Sequence, residues 1–219
     1  MPNELVWLIF LLPFFASVGI GLVIRPFFSH RSRWAGYVAI ATIAGSLLLS
    51  LWLLSEVWRA AEHRLELPTV EWVLLDGVTI EIGVMVDALT AVMAVVVSLV
   101  SLMVQIYSQG YMKVKEGDHE YSATGYIRYF AFMSLFTGSM LGLVLAENLL
   151  FMFVFWEGVG LCSYLLIGFW FHRPSAADAA KKAFIVTRIG DFGFLLAILY
   201  LYTNTGTFSI PELHSMAIA

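Results

Sequence analysis

Long apolar stretches separated by short polar segments dominate the hydrophobic pattern of this chain. A helix needs roughly 20 residues to cross the hydrocarbon core of a bilayer, and several stretches reach that length. Helices rather than strands are expected in lipid, because a helix satisfies its backbone hydrogen bonds within one segment. The pattern therefore predicts six transmembrane helices, at about Leu5–Ile24, Trp34–Glu56, Gly83–Ser108, Arg128–Ala146, Asn148–Trp170 and Ala179–Tyr202.

The composition favours the same fold class. Hydrophobic residues make up 60% of the 219 positions and charged residues only 13%, whereas a soluble domain carries roughly 25% charged residues. We predict an all-α, polytopic membrane protein whose residues 1–219 form a single membrane domain. The first helix is not expected to be a cleaved signal, because Glu4 and no basic residue precedes it.

Motifs for cofactor binding are absent from the sequence. The single cysteine, Cys162, excludes an intrachain disulfide and a cysteine-rich metal cluster. There is no CxxC pair, no HExxH motif and no P-loop. The net charge of −4 is spread over loops and gives no basic patch for nucleic acid. We expect no redox cofactor and no metal in this chain.

Basic residues are distributed unequally between the two sets of alternate loops. One set, with the adjoining helix ends, contains Arg25, Arg31, Arg33, Lys113, Lys115, Arg128, Arg173, Lys181 and Lys182. The other set contains Arg59 and Arg64. The positive-inside rule predicts that the first set faces the cytoplasm and that the N-terminus lies outside. The chain is accordingly expected in the inner (plasma) membrane.

A small β-hairpin is predicted on the outer face, over residues 69–82. Asp76-Gly77 separates two runs rich in β-branched residues, Thr69–Leu75 and Val78–Ile82. Glycine tolerates the positive φ of a type I′ turn, so this pattern is typical of a hairpin. An irregular amphipathic loop remains an alternative for the same segment.

Glu157 is the most informative charge, because it lies inside the predicted fifth helix. At 1.5 Å per residue it is about 13 Å from the outer helix end and about 20 Å from the inner end. A charge at mid-bilayer costs roughly 2.5–3.5 kcal/mol unless it faces protein or water. Burial disfavours the ionised carboxylate and a nearby cation favours it. Glu157 is thus a candidate for proton transfer; the alternative is a permanently neutral or paired carboxyl that joins helices.

The sixth helix carries three further candidates. Arg188 and Asp191 are three residues apart, so they share a helical face and can pair. A structural ion pair and a functional one are equally compatible with this spacing. Lys182 lies about 9 Å from Arg188 toward the cytoplasmic end. It either admits protons to the interior or extends to the lipid headgroups.

Three other features are interpreted as structural. Asp87 is expected to cap the third helix, where the helix dipole stabilises an anion. Glu147-Asn148 is expected to form the turn between the fourth and fifth helices. Gly138 and Gly142 form a GxxxG pattern that favours close helix packing.

Several motifs resemble one family. The most specific is the fifth-helix run Trp156-Glu157-Gly158-Val159-Gly160-Leu161-Cys162-Ser163-Tyr164-Leu165-Leu166-Ile167-Gly168-Phe169. Further matches are Val86-Asp87-Ala88-Leu89, Tyr107-Ser108-Gln109-Gly110-Tyr111-Met112, Ala146-Glu147-Asn148-Leu149-Leu150 and Lys182-Ala183-Phe184-Ile185-Val186-Thr187-Arg188-Ile189-Gly190-Asp191. The chain resembles the N-terminal third of the L subunit of respiratory complex I (chain 5 of the mitochondrial NADH dehydrogenase), an antiporter-like family.

The resemblance implies a subunit of a proton-translocating NADH:quinone oxidoreductase that performs no redox chemistry itself. NADH, FMN, iron–sulfur clusters and quinone would be bound by other subunits. The implied partners are the other membrane subunits of complex I, the bilayer and protons. Proton-transfer roles would fall to Glu157, paired with a lysine on a seventh helix, and to Lys182, Arg188 and Asp191. Gln105 stands where the family commonly has histidine, so no titrating role is expected there.

Two alternative functions share this pattern: the large subunit of a multisubunit cation/proton antiporter, and a truncated scaffold that does not pump. The runs 157–162 and 188–191 favour complex I over the antiporter. Family members have roughly fourteen transmembrane helices in inverted repeats, and the sequence stops before the expected seventh. Either the sequence is a fragment or another chain supplies the rest, and in both cases we expect that this piece cannot pump protons alone.

Overall fold

A computed structural model describes residues 3–27, 33–60, 63–65, 67–75, 78–112 and 123–218. Within these ranges, six helices are long and apolar enough to cross a membrane, which confirms the predicted polytopic, mostly helical fold. The helices are α1 (Asn3–Gly19, extended by a π-helical segment Ile20–Ile24 and by Arg25–Phe27), α2 (Arg33–Arg59), α3 (Ala88–Tyr111), α4 (Ala123–Leu145), α5 (Leu149–Ile167, extended by a 3₁₀ turn Gly168–Trp170), α6 (Pro174–Thr205) and the short α7 (Ile210–Ile218).

Three predicted helix starts were wrong, including that of the fourth helix, which begins at Ala123 and not at Arg128. The third helix begins at Ala88, not Gly83, because Val84, Val86 and Asp87 form backbone bridges with other segments. The sixth helix is longer than predicted at both ends. It begins at Pro174, since proline suits the first helical turn, and it ends before Gly206, whose φ of 77° is left-handed.

Asp87 is the N-cap of α3, as expected. Its Oδ1 accepts a hydrogen bond of 2.7 Å from the backbone N–H of Thr90. The Thr90 hydroxyl oxygen in turn accepts one of 2.8 Å from the backbone N–H of Asp87. This reciprocal pair satisfies backbone donors that the first turn of a helix leaves free.

The predicted hairpin is present between α2 and α3. Strands β2 (Val70–Leu75) and β3 (Val78–Ile82) pair antiparallel, with Leu75 opposite Val78 and a register shift between Glu71 and Val73. Flanking them, β1 (Arg64–Leu65) pairs with β4 (Val86–Asp87). The turn residues Asp76 and Gly77 lie outside the described residues. We call the bundle end that carries this hairpin the hairpin end, and the opposite end, with most basic residues, the basic end.

Helices α1 to α4 form a bundle, α5 packs on α4, and α6 packs on α5. Gly138 and Gly142 place α4 close to two neighbours. A Cβ on Gly138 would lie 2.6 Å from the Phe14 ring of α1, and one on Gly142 would lie 2.5 Å from the Phe155 ring of α5. The GxxxG pattern therefore serves close packing, as predicted.

The turn between α4 and α5, residues 146–148, is hydrogen-bonded to β3, to the segment between β3 and β4, and to the segment after α6. We call this junction the clasp. The backbone of Ala146 forms a β-bridge with Val84, and the backbone of Asn148 forms one with Ser209. The Asn148 side-chain N–H₂ donates to the carbonyl of Glu81 in β3, while its Oδ1 accepts 2.6 Å from Phe151 N–H. Backbone hydrogen bonds also join the turn to the segment after α6, from Leu149 N–H to Phe208 at 2.9 Å and from Ile210 N–H to Glu147 at 3.0 Å.

Glu147 is more than a turn residue, because its side chain enters the clasp. Its Oε2 is buried and accepts no hydrogen bond from the described residues. Burial first, and then the negative charges of Glu81 and Glu212, raise the pKa of this carboxyl, while Arg64 lowers it. A carboxyl with this surrounding holds its proton to a higher pH than an exposed glutamate.

A line of polar groups runs between α3 and α4. The Ser108 hydroxyl lies 2.9 Å from the Tyr129 hydroxyl, and the Thr137 hydroxyl donates to Ser101 at 3.2 Å. Between these two contacts, Gln105 is fully buried, and neither its amide nitrogen nor its oxygen has a hydrogen-bond partner among the described residues. A buried amide without partners is costly, whereas its replacement by an apolar group of the same shape is not.

Replacement of Gln105 by Met is therefore expected to stabilise the protein. The gain should be about 1–3 kcal/mol, the desolvation cost of an unsatisfied buried polar group. The measurement is the midpoint of thermal unfolding in detergent micelles, with Gln109→Met as a matched change one turn away on α3. A lower midpoint for Gln105→Met would show that the amide has a polar partner in the membrane-embedded protein.

Candidate functional site

Glu157 lies in the third turn of α5, on the side that meets α6. It is about 12 Å along the axis from Leu149, the first residue of the helix. Its side chain is 23% exposed, and its Oε2 forms an ion pair with Nη1 of Arg188 in α6. The charged carboxylate thus has a cation from the neighbouring helix, which is the arrangement that makes a charge tolerable at this depth.

Asp191 completes a cluster of three charged side chains. It is one helical turn beyond Arg188, and its Oδ2 lies 3.9 Å from Arg188 Nη1. The spacing of these two residues predicted this shared face. The Asp191 side chain is only 8% exposed, and its Oδ1 accepts a hydrogen bond of 2.7 Å from the indole N–H of Trp156.

Aromatic packing positions the cluster from both helices. The Arg188 guanidinium carbon lies 4.7 Å from the centre of the Phe184 ring, and this ring lies 5.2 Å from that of Tyr164 in α5. On the other side, the Trp156 and Phe194 rings are 5.5 Å apart and tilted by 60°. A cation over a ring face is attracted by the ring quadrupole, so Phe184 restrains the guanidinium beside Glu157.

Lys182 does not join this cluster. Its side chain is exposed, six residues before Arg188 toward the basic end. Among the described residues, the ion pairs of α6 are those of Arg188 and one between Lys181 and Asp178 at 3.5 Å. The structure thus brings together three of the four predicted residues, Glu157, Arg188 and Asp191.

Two contacts of the cluster were missed by sequence reasoning. The resemblance paired Glu157 with a lysine beyond this sequence, whereas the structure gives it Arg188 of the same chain. Trp156 entered the sequence analysis only as part of the fifth-helix motif, yet its N–H binds Asp191. A signal for the second contact was available, because an indole N–H buried in a membrane needs an acceptor and few acceptors occur in these helices.

The chemistry open to this cluster is proton exchange. Two carboxylates share one guanidinium, so the cluster carries one net negative charge when both are ionised and becomes neutral when one of them takes up a proton. Beside Arg188, a shallow and largely open cavity lies on the exposed face of α6, where this one helix supplies its lining residues Phe184, Ile185, Ile189 and Phe192. Among the described residues there is no group of three His, Cys, Asp or Glu side chains placed to hold a metal ion.

Two family models match this chain. Residues 72–130 match "NADH-Ubiquinone oxidoreductase (complex I), chain 5 N-terminus", and residues 146–219 match "NADH:quinone oxidoreductase/Mrp antiporter, TM". The second match contains all three members of the charged cluster.

Curated relatives include subunit 5 of the chloroplast NAD(P)H-quinone oxidoreductase of Mesostigma viride, which is 47% identical over 210 residues. Chain 5 of the enzyme from Synechocystis sp. is 43% identical over 208 residues. Each alignment covers 94% of this chain, but only 30% and 29% of the respective relative. The chain thus spans less than a third of the length of these relatives.

Solved structures show the same fold. A chain of the Mrp complex from Dietzia sp. superposes with a TM-score of 0.69 and 27% identity, over 93% of this chain and 20% of that one. A chain of an archaeal respiratory membrane complex, the membrane-bound sulfane sulfur reductase, superposes with a TM-score of 0.77 at 18% identity, over 97% and 40%.

Proposed function

This chain belongs to the antiporter-like membrane family of NADH:quinone oxidoreductases and Mrp antiporters, and we propose that it is the N-terminal part of a chain 5-type subunit that translocates protons. The proton movement is coupled to electron transfer from NADH to quinone. The observation that carries this proposal is the ion pair between Glu157 of α5 and Arg188 of α6 within the membrane-spanning bundle. The proposal is also supported by the location of both residues in the segment that matches the family model.

The cluster works by changing the distance between two helices. When Arg188 is close to Glu157, the cation stabilises the ionised carboxylate, so the carboxyl releases its proton. When α6 moves away, the carboxylate is left without a counter-charge in a low-dielectric environment and takes up a proton. When α6 has moved away from Glu157, Asp191 still pairs with Arg188, because both residues lie on α6 and move together. Glu157 thus acts as acid and base in turn, and Arg188 controls which role it has.

Lys182 takes part in the same proposal as an entry group. It is exposed near the start of α6, at the basic end, from which protons would be delivered. The cavity beside Arg188 is the approach by which a further helix of the full-length subunit reaches the pair. A lysine from such a helix, as the resemblance implies, would be the next proton acceptor.

The proposal extends to the wider assembly. The chain resides in the inner (plasma) membrane with its N-terminus outside, so the basic end faces the cytoplasm. Its partners are other membrane subunits, and the redox centres with FMN, iron–sulfur clusters, NADH and quinone belong to other subunits. The complex is then an H⁺-translocating NADH:quinone reductase in which this chain handles protons only.

The alternative is the large subunit of a multisubunit cation/proton antiporter, which the match to the Mrp complex from Dietzia sp. favours. In that case the same cluster would exchange protons against a cation and would need no electron donor. A scaffold without transport is the third reading, and it assigns no role to the ion pair.

The test is to purify the full-length protein with an affinity tag on its N-terminus from membranes of its source. We expect NADH:quinone reductase activity to co-purify, and NADH to drive acidification of vesicles that contain the complex. Sodium-driven proton exchange without reductase activity would overturn the proposal in favour of the antiporter. If neither activity is found, the result favours the scaffold.

A further inference from the structure

A second polar site lies at the basic end, away from the charged cluster. A cavity of about 230 Å³ opens between α4, the turn after α5 and the start of α6. Its wall is mostly apolar, formed by residues that include Phe132, Leu165, Phe169 and Phe171. Two cations, Arg128 of α4 and Lys181 of α6, also line it. Two cations on an otherwise apolar cavity suit a ligand that is anionic at one end and apolar at the other.

Arg128 is held in place within this cavity. Its Nη2 donates a hydrogen bond of 3.1 Å to the carbonyl oxygen of Phe169. Its guanidinium carbon lies 5.0 Å from the centre of the Phe169 ring and 5.1 Å from that of Phe171. Its Nε is buried and has no hydrogen-bond partner among the described residues. The side chain is therefore positioned with a donor still unsatisfied, as a binding site for an oxyanion requires.

Lys181 is available to the same ligand. Its only ion pair among the described residues is with Asp178, at 3.5 Å and one helical turn away, and both side chains are mostly exposed. Such exposed pairs contribute little and break readily. The ammonium group can therefore turn into the cavity when an anion binds there.

The depth of the cavity in the membrane indicates which kind of anion it suits. Arg128 is about 8 Å along the axis from the first residue of α4, and Lys181 about 10 Å from the first residue of α6. This depth corresponds to the boundary between headgroups and acyl chains. We propose that the cavity binds one phospholipid with an anionic headgroup, whose phosphate contacts Arg128 and Lys181 and whose acyl chain lies along the phenylalanine wall. Basic pockets between helices on the cytoplasmic side commonly bind such headgroups.

The experiment uses the purified full-length chain, stripped of lipid in detergent and titrated with phosphatidylglycerol while bound lipids are counted by native mass spectrometry. The wild type should retain one phosphatidylglycerol molecule with higher affinity than the rest. Lys181→Gln should weaken its binding about fivefold and Arg128→Gln about tenfold, as expected for loss of one cation near a phosphate. Arg59→Gln, which removes an exposed cation at the hairpin end, is the matched control and should leave the affinity unchanged.

Lys181→Gln is the variant less prone to misfold, because the ion pair of Lys181 among the described residues is an exposed one with Asp178, whereas Arg128 holds the Phe169 carbonyl. Equal affinity of Lys181→Gln and wild type would overturn the proposal. So would equal retention of phosphatidylcholine with the same acyl chains, since its headgroup has no net charge. Full displacement of phosphatidylglycerol by excess inorganic phosphate would also overturn it, because it would identify a free-anion site in place of a lipid site.

Discussion

Replacement of Arg188 by Gln in the full-length subunit is expected to lower NADH-driven proton translocation about a hundredfold. Without its cation, an ionised Glu157 at mid-membrane costs roughly 2.5–3.5 kcal/mol. Since about 1.4 kcal/mol corresponds to a factor of ten, the carboxyl stays protonated and cannot complete a cycle. The rate is measured as the initial acidification of vesicles, normalised to the amount of assembled complex.

Three further variants test this explanation of the loss of translocation. Glu157→Gln should lose translocation to the same extent, because it removes the exchangeable proton. Arg188→Lys keeps the charge but loses the fixed planar fork, so an intermediate rate is expected. The double variant Glu157→Gln with Arg188→Gln should remain inactive, yet unfold at a higher temperature than Arg188→Gln alone, because only Asp191 and not also Glu157 is then left without its cation.

Infrared spectroscopy separates the proposed cause from a general loss of structure. Arg188→Gln should show additional carbonyl absorption of protonated carboxylic acid, and the double variant should lose the part of it that comes from Glu157, while any part from Asp191 remains. Normal translocation by Glu157→Gln would rule out Glu157 as the proton carrier. Loss of activity in Arg188→Gln without a new carboxylic acid band would assign Arg188 a purely structural role.

Replacement of Asn148 by Leu is expected to destabilise the protein by about 2–4 kcal/mol. Loss of the N-cap of α5 contributes about 1 kcal/mol, and the carbonyl of Glu81, left without its donor, adds about 1–3 kcal/mol. Asn148 itself is only 5% exposed, so water cannot replace the lost hydrogen bonds freely. The free energy of unfolding is measured by titration with SDS in mixed micelles.

A matched variant divides this effect into its two parts. Asn148→Ser keeps an oxygen that can accept from the Phe151 N–H, but it has no amide to reach Glu81. We expect it to lie between wild type and Asn148→Leu. If both variants unfold like the wild type, the side-chain hydrogen bonds of Asn148 do not contribute to stability.

The sequence predicted the features that depend on local pattern. Six spans follow from the length of apolar stretches, the hairpin from Asp76-Gly77 between β-branched runs, and the cap of α3 from Asp87. The segment 83–87 was misassigned because its apolar residues continue those of α3, and hydrophobicity alone does not show that their backbone pairs with other strands.

The candidate site was predicted only in part, for a physical reason. The spacing of Arg188 and Asp191 fixes a shared face on one helix, so their proximity was predictable. The contact of Arg188 with Glu157 depends instead on which faces of α5 and α6 meet and on their axial register. Both are set by packing between helices, including the Tyr164–Phe184 and Trp156–Phe194 ring contacts. A single sequence carries no direct signal for that register.

The clasp also determines how far Arg188 can travel. Because Leu149 and Glu147 are hydrogen-bonded to Phe208 and Ile210, α5 and α6 share a pivot at the hairpin end. Arg188 is about 26 Å from the last residue of α6, whereas Glu157 is only about 12 Å from the first residue of α5. With this long lever arm, a tilt of about 5° moves the guanidinium by about 2 Å. A small movement of α6 at the basic end can therefore separate Arg188 from Glu157 while the two helices stay hydrogen-bonded at the hairpin end.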